Sequence, residues 1–195
     1  MVDPLPPRHF AIAAGAAGSG YDNFARQYAR ILARQGVELE IRNSVGAVEN
    51  LALLRDSASG VQAAVATFGV TQPADADIFY SLGGIFDAAI FIFYRNVEPV
   101  TLFAQLRGKR LSIGMPGTAL RLLMLEVLKA TDALDASTQL LDPDYTQAID
   151  ALISGSVDVA IVPAMANGER IIGAPGVQLM SVAQAEAIAK TVPGL

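Results

Sequence analysis

The sequence predicts an α/β protein of two lobes, each a mostly parallel sheet flanked by helices, with a ligand cleft between the lobes. Three observations predict it. Short apolar runs alternate with segments of helical periodicity, the pattern that builds parallel sheets. That grammar runs twice, on either side of a break at Arg95-Asn96-Val97-Glu98-Pro99. Several apolar runs also end in glycine-rich turns, which places any ligand at the carboxyl ends of the strands.

Taken in order, residues 10–14 read as a buried strand followed by the turn Gly15-Ala16-Ala17-Gly18-Ser19-Gly20-Tyr21. Tyr21, Phe24, Ala25, Tyr28, Ile31 and Leu32 then recur at helical spacing. Residues 37–42 alternate as a second strand, Val48, Leu51, Ala52 and Leu54 give a helix face, and residues 61–66 give a third strand. The apolar run 88–94 is expected to close this half, so the first lobe spans 1–96 and the hinge lies at 95–99. The second lobe, 97–195, repeats the order, with its return to the first lobe incomplete or absent. Its first strand, 110–114, leads through the loop Gly114-Met115-Pro116-Gly117-Thr118-Ala119 into a helix carrying Leu122, Leu125, Val127 and Leu128. That helix is apolar nearly all round and is expected to be buried. Residues 138–141 form a short strand, and Asp142-Pro143 offers an N-cap with proline at the first helical position. Tyr145, Ala148, Ile149 and Leu152 form the next helix's inner stripe, Gly155 ends it, and residues 157–162 are a strand buried save for Asp158.

Composition bounds the function. A chain of 195 residues with 52% hydrophobic and 17% charged residues can bury a real core. A net charge of −5 without a basic cluster argues against nucleic acid or an anionic membrane as partner and leaves a small molecule. The longest uninterrupted apolar run, 88–94, falls far short of the ~20 residues a spanning helix needs. With no cysteine and one histidine there are no disulfides or thiolate sites, and no Ser/His/Asp set can be assembled. No enzyme, cofactor or metal is expected. The opening residues show no charged segment leading into an apolar one, so any signal peptide is expected to have been removed or never present.

The candidate ligand residues sit on the turns. Gly18, Ser19, Gly20 and their neighbours can present backbone N–H groups to an anion, or simply form a tight turn; the glycine order fits neither a P-loop nor a dinucleotide fingerprint. Gly46 and Ala47 supply amides where the second strand turns into its helix, and Asn50 adds a side-chain amide there, with local capping as the alternative. Asn50 is expected at an exposed helix position, so that alanine there would weaken binding more than folding. Glu49 is a secondary candidate that also suits a helix first turn. Tyr21 either covers a ligand or joins the core. Thr67 and Phe68 follow the third strand and offer a hydroxyl and an apolar wall, or a plain turn. Gly117 and Thr118 occupy the matching loop of the second lobe. Arg121 lies in a helix first turn, against the dipole; a carboxylate ligand would give it a reason, a surface arginine covering apolar neighbours being the alternative. His9 reads as surface, Asp142 and Asp144 as caps, and Asp158 as a strand residue.

These segments together resemble the TAXI family, the solute receptors of a class of TRAP transporters, with a type 2 periplasmic-binding-protein-like fold. The resemblance rests on residues 18–21, on Ser44-Val45-Gly46-Ala47-Val48-Glu49-Asn50-Leu51, on residues 106–114, and on 148–160. It implies a periplasmic or extracytoplasmic receptor that closes two lobes on a small carboxylate, an amino acid or dicarboxylate, and delivers it to membrane permease subunits. Ser44 enters the candidate set through this motif. Family members usually carry an export signal and extend well beyond residue 195, which fits either a truncated chain or a receptor module of a larger membrane protein; they also hold more small hydroxylated residues in the second-lobe loop than Pro116-Gly117-Thr118-Ala119, a departure that bears on the ligand. The alternative is a ligand-sensing effector domain of a regulator with the same fold.

Overall fold

The apolar runs become strands and the periodic segments helices in the computed structural model, which describes residues 7–67, 69–85, 89–164 and 170–192. The chain divides into two compact units between Thr71 and Gln72, each built on its own sheet.

The first unit runs β1 (His9–Ala13), α1 (Gly20–Ala33), β2 (Glu38–Arg42), α2 (Ala47–Arg55) and β3 (Ala63–Ala64). Its strands are parallel in the order β2-β1-β3, with Ile12 opposite both Ile41 and Ala63. The alanines at the end of the central strand, Ala11, Ala13 and the following Ala14, have a reason of space. Ile12 and Ala14 pack with Ala25 of α1, Leu39 and Val65, while Ala11 and Ala13 turn to Val61 and to Leu53 and Leu54 of α2. Both faces of β1 are therefore covered by a helix, as period-2 alternation requires of a strand between two crossovers.

The second unit runs β4 (Ile90–Arg95), β5 (Arg110–Ser112), α3 (Ala119–Ala130), β6 (Gln139–Leu141), α4 (Tyr145–Ser154), β7 (Val159–Pro163), β8 (Val177–Leu179) and α5 (Ala185–Thr191). Its sheet order is β6-β5-β7-β4-β8. β5 is parallel to β6 and β7, whereas β4 runs antiparallel to β7 and β8 and is the one reversed strand among the described residues. One core holds Ile92, Tyr94, Leu111, Ile113 and Ile161 against Met124, Val127 and Leu128 of α3. The other, on the opposite face, holds Phe93, Ala160 and Val162 against Ala148, Ile149 and Leu152 of α4. Arg110 joins β5 to the entry of β7, donating from its backbone N–H and side chain to the Asp158 carboxylate at 2.6–3.1 Å. That guanidinium fork holds the Asp158 carboxyl below the usual carboxylate range.

Three expectations are corrected. The boundary expected at 96/97 lies at 71/72, because the strand expected to close the first lobe, β4, pairs with β7 and β8 in the second sheet. Its unbroken apolar run reflects burial on both faces there, and an antiparallel strand needs no helix to announce it. The helix α3 is not buried all round: Leu122 is 45% exposed, and only the face of Met124, Val127 and Leu128 is covered. The N-cap of α4 is Asp144, which accepts from the Gln147 amide at 2.8 Å while the Gln147 side chain accepts from the Asp144 amide at 3.2 Å. Asp142 is free of that duty and pairs with Arg121 instead. Gly155 does end α4, in the left-handed conformation that a side chain would oppose (φ 81°).

Ser112 is an oddity of the second sheet. It is 1% exposed, and its hydroxyl is without a hydrogen-bond partner among the described residues. Leaving a buried hydroxyl unsatisfied costs about 1–3 kcal/mol. Ser112→Ala is therefore expected to raise stability by about 1 kcal/mol in urea denaturation, a gain that would vanish if the hydroxyl were satisfied.

Candidate functional site

The carboxyl ends of β1, β2 and β3 carry three loops, and one side chain ties them together. Asn50, in the second turn of α2, is 0% exposed. Its Oδ1 accepts from the Gly15 N–H at 3.2 Å and from the Ser44 hydroxyl, and its Nδ2 donates to the Val65 carbonyl at 2.7 Å. Gly15 follows β1, Ser44 follows β2 and Val65 follows β3. The expectation of an exposed Asn50 is thus overturned, since α2 packs this position onto the sheet end. Further backbone bonds reinforce the junction: Ser44 N–H donates to the Gly15 carbonyl at 3.0 Å, and Val65 N–H to the Ala13 carbonyl at 2.9 Å.

The glycine turn is closed from inside. Gly15 and Gly18 both have positive φ, 69° and 77°, which lets the chain reverse between β1 and α1. Ser19 is the N-cap of α1, accepting from the Asp22 N–H at 3.3 Å. The Asp22 side chain folds back and accepts from the Gly18 N–H at 2.8 Å. It also accepts from Arg26 Nε at 2.9 Å and Asn43 Nδ2 at 3.1 Å, and is 1% exposed. Arg26 foremost, with these amides, holds the Asp22 carboxyl below its usual range despite burial. Asn43 Nδ2 reaches the Gly15 carbonyl as well, at 3.0 Å.

Tyr21 lies over this turn: a Cβ added at Gly15 would meet its Cδ2 at 3.3 Å. The ring packs partly into the first-unit core, and the Tyr21 hydroxyl is hydrogen-bonded to Thr67. Burial raises the Tyr21 pKa and the Thr67 bond opposes that rise, so the phenol is neutral at physiological pH. Gly46 precedes α2 in a conformation open to glycine (φ 151°), with the Ser44 hydroxyl accepting from its N–H at 3.2 Å. Glu49 accepts from the Val45 N–H at 2.7 Å, a first-turn contact. Gly18, Ser19, Gly20, Tyr21, Ser44, Gly46, Ala47, Asn50 and Thr67 accordingly lie at one edge of one sheet; Phe68 lies outside the described residues.

In the second unit, Gly117 (φ 84°) and Thr118 form the turn from β5 into α3. Thr118 caps α3, accepting from the Arg121 N–H at 3.4 Å and donating to the Met115 carbonyl at 2.7 Å. Arg121 Nη1 donates to the Gly114 carbonyl at 2.9 Å and to the Asp142 carboxylate. Its side chain is 16% exposed and that of Asp142 51%. Asp142, at the end of β6, thus gives the first-turn arginine an internal counter-charge. The second unit also has an apolar hollow of about 200 Å³ lined by Phe91, Phe93, Ile171 and Val177 among others. It lies against β4 and β8, and among the described residues its lining holds no charged group for a carboxylate.

Asp22 and Asn43 were not anticipated as site residues. A signal for Asp22 was present in Ser19-Gly20-Tyr21-Asp22, the serine-x-x-acid pattern of a helix start. Asn43 had none, because its role depends on the register of β2 beside β1.

The sequence profile of the NMT1-like family matches residues 12–174. The chain belongs to the NMT1-like family. No curated protein matches the sequence. Among solved structures, an ancestral arginine-binding protein bound to arginine superposes with a TM-score of 0.61 at 17% identity, over 89% of this chain and 79% of that one. The substrate binding protein of an amino acid ABC transporter gives 0.61 at 14%, over 95% and 82%. The periplasmic aliphatic sulphonate binding protein SsuA from Escherichia coli gives 0.61 at 15%, over 96% and 60%. This likeness shows the fold of the NMT1-like chain to be that of the two-lobed periplasmic binding proteins. The structures it resembles are binding proteins rather than enzymes, and no described helix is long and apolar enough to cross a membrane.

Proposed function

We propose that the chain is an extracytoplasmic receptor that captures a small carboxylate solute, an amino acid or dicarboxylate, and passes it to a membrane transporter. The observation that carries this reading is the gathering of the three loops that follow β1, β2 and β3 on Asn50 at the carboxyl edge of a parallel sheet. Membership of the NMT1-like family and likeness to amino-acid and sulphonate binding proteins support it. The transporter is of TRAP type on the TAXI resemblance of residues 44–51 and 106–114. Each unit carries its own candidate solute contacts: Gly20, Tyr21, the Ser44–Ala47 turn and Thr67 in the first, and Gly117, Thr118 and the guanidinium of Arg121 in the second.

A thermal-shift screen of amino acids, dicarboxylates, keto acids and sulphonates tests the reading. At 100 times the dissociation constant, linkage gives about 2.7 kcal/mol of stabilisation, readily seen in Tm. No response to any of them would remove the receptor reading.

Arg121 and Asp142 make that test residue-specific. Arg121 Nη1 is spent on Asp142 and the Gly114 carbonyl, while its Nε and Nη2 make no hydrogen bond among the described residues. Arg121→Lys is expected to weaken a carboxylate solute about tenfold or more in calorimetry, since a charge-assisted bond is worth about 1.5–3 kcal/mol and an ammonium lacks the fork. Asp142→Asn is expected to tighten the same solute by removing a competing anion. Unchanged affinity in both variants would leave Arg121 a structural residue only.

A further inference from the structure

We propose that the glycine turn between β1 and α1 is an anion nest already filled by the protein's own Asp22, so that a solute carboxylate is excluded from it. The turn has the parts of an anion site: glycines of positive φ, a Gly18 N–H that donates to a carboxylate, and the positive end of a fourteen-residue helix. The carboxylate occupying it is covalently attached. Asp22 takes the Gly18 N–H at 2.8 Å, and Arg26 and Asn43 close over its two oxygens at 2.9 and 3.1 Å.

With Asp22 1% exposed, an incoming carboxylate would have to displace a group that is already desolvated, triply hydrogen-bonded and tethered. A second anion beside it would add like-charge repulsion in a poorly solvated place. Asp22 is therefore a specificity-determining residue. On the receptor reading, which this consequence rests on, the negative end of the solute is held outside the Gly15–Gly20 turn. The Gly15–Gly20 turn receives a neutral or cationic part.

The test uses formate as the probe and needs no solute. Asp22→Ala removes the carboxylate and leaves a cavity of matching shape with Gly18, Arg26 and Asn43 in place, while Asp22→Asn fills the cavity without charge. Melting temperatures are compared in sodium formate and in sodium chloride at equal ionic strength. The wild type should melt identically in the two salts, and both variants should melt lower in chloride. Asp22→Ala should recover most of its loss in formate, saturably, and Asp22→Asn should not. An equal formate response in all three proteins would overturn the proposal. If Asp22→Ala does not fold, ¹⁵N-labelled wild type decides: the Gly18 amide resonance should not move with formate, and a saturable shift would show the nest to be open. Because formate replaces the solute, failure here overturns the filled nest and leaves the receptor reading standing, whereas a silent solute screen removes the receptor reading alone.

Discussion

Asn50→Ala is expected to cost about 3–5 kcal/mol of folding stability, the largest effect of any single substitution in the first unit. The side chain is fully buried and makes three hydrogen bonds to three separate loops. Truncation strands the Gly15 N–H and the Val65 carbonyl and takes one bond from the Ser44 hydroxyl, and each unsatisfied buried group costs about 1–3 kcal/mol. Against a total stability of about 5–15 kcal/mol, the variant is expected to be partly unfolded at 37 °C, as a urea midpoint and circular dichroism would show. Asn50→Asp should be nearly as costly, because a carboxylate cannot donate to Val65. A loss below about 1 kcal/mol would mean that the loops are held by backbone bonds alone and that Asn50 serves binding.

Ile161→Ala carries the corresponding expectation for the second unit. Ile161 lies in β7, which is flanked by β5 on one side and β4 on the other, and it is 0% exposed in the core that α3 covers. Removal of so large a buried side chain from a strand fixed on both edges leaves a cavity that the sheet cannot close. The expected cost is about 2–5 kcal/mol. Ile172, 71% exposed, is the control, and its alanine variant should stay within about 0.5 kcal/mol of the parent. Equal effects at the two positions would contradict the placement of β7 at the centre of the sheet.

The two sheets were legible in the sequence to different degrees. β1, α1, β2 and α2 follow from periodicity and glycine placement, because in a parallel βαβ series each element buries one predictable face. The helix α4 was equally plain, with its apolar stripe and Gly155. The weak point was β4. Its run of Ile90, Phe91, Ile92, Phe93 and Tyr94 shows a strand buried on both faces but says nothing about which sheet pairs with it. Register is set by β7 and β8, far along the chain, so the unit boundary was misplaced.

The site was legible as a set of turns and illegible as a network. Glycines mark where backbone reverses, and the readings of Ser19 and Gly46 at helix starts follow from local rules. Asn50 depends on the depth at which α2 packs, and Asn43 on strand register, and neither is encoded within a few residues. Arg121 was singled out for opposing the helix dipole; its internal partner, Asp142, sits at the end of a strand twenty-one residues on. Asp22 had a local signal, but its effect on the turn appears only when the Gly18 N–H is seen to be taken.

Native mass spectrometry of the purified chain, mixed with an equimolar panel of amino acids, dicarboxylates and sulphonates, tests the central claim most directly. The receptor account predicts a one-to-one adduct whose mass selects one small carboxylate from the panel and which is lost on denaturation. A spectrum showing only the bare chain, or equal weak adducts with every compound, would contradict it.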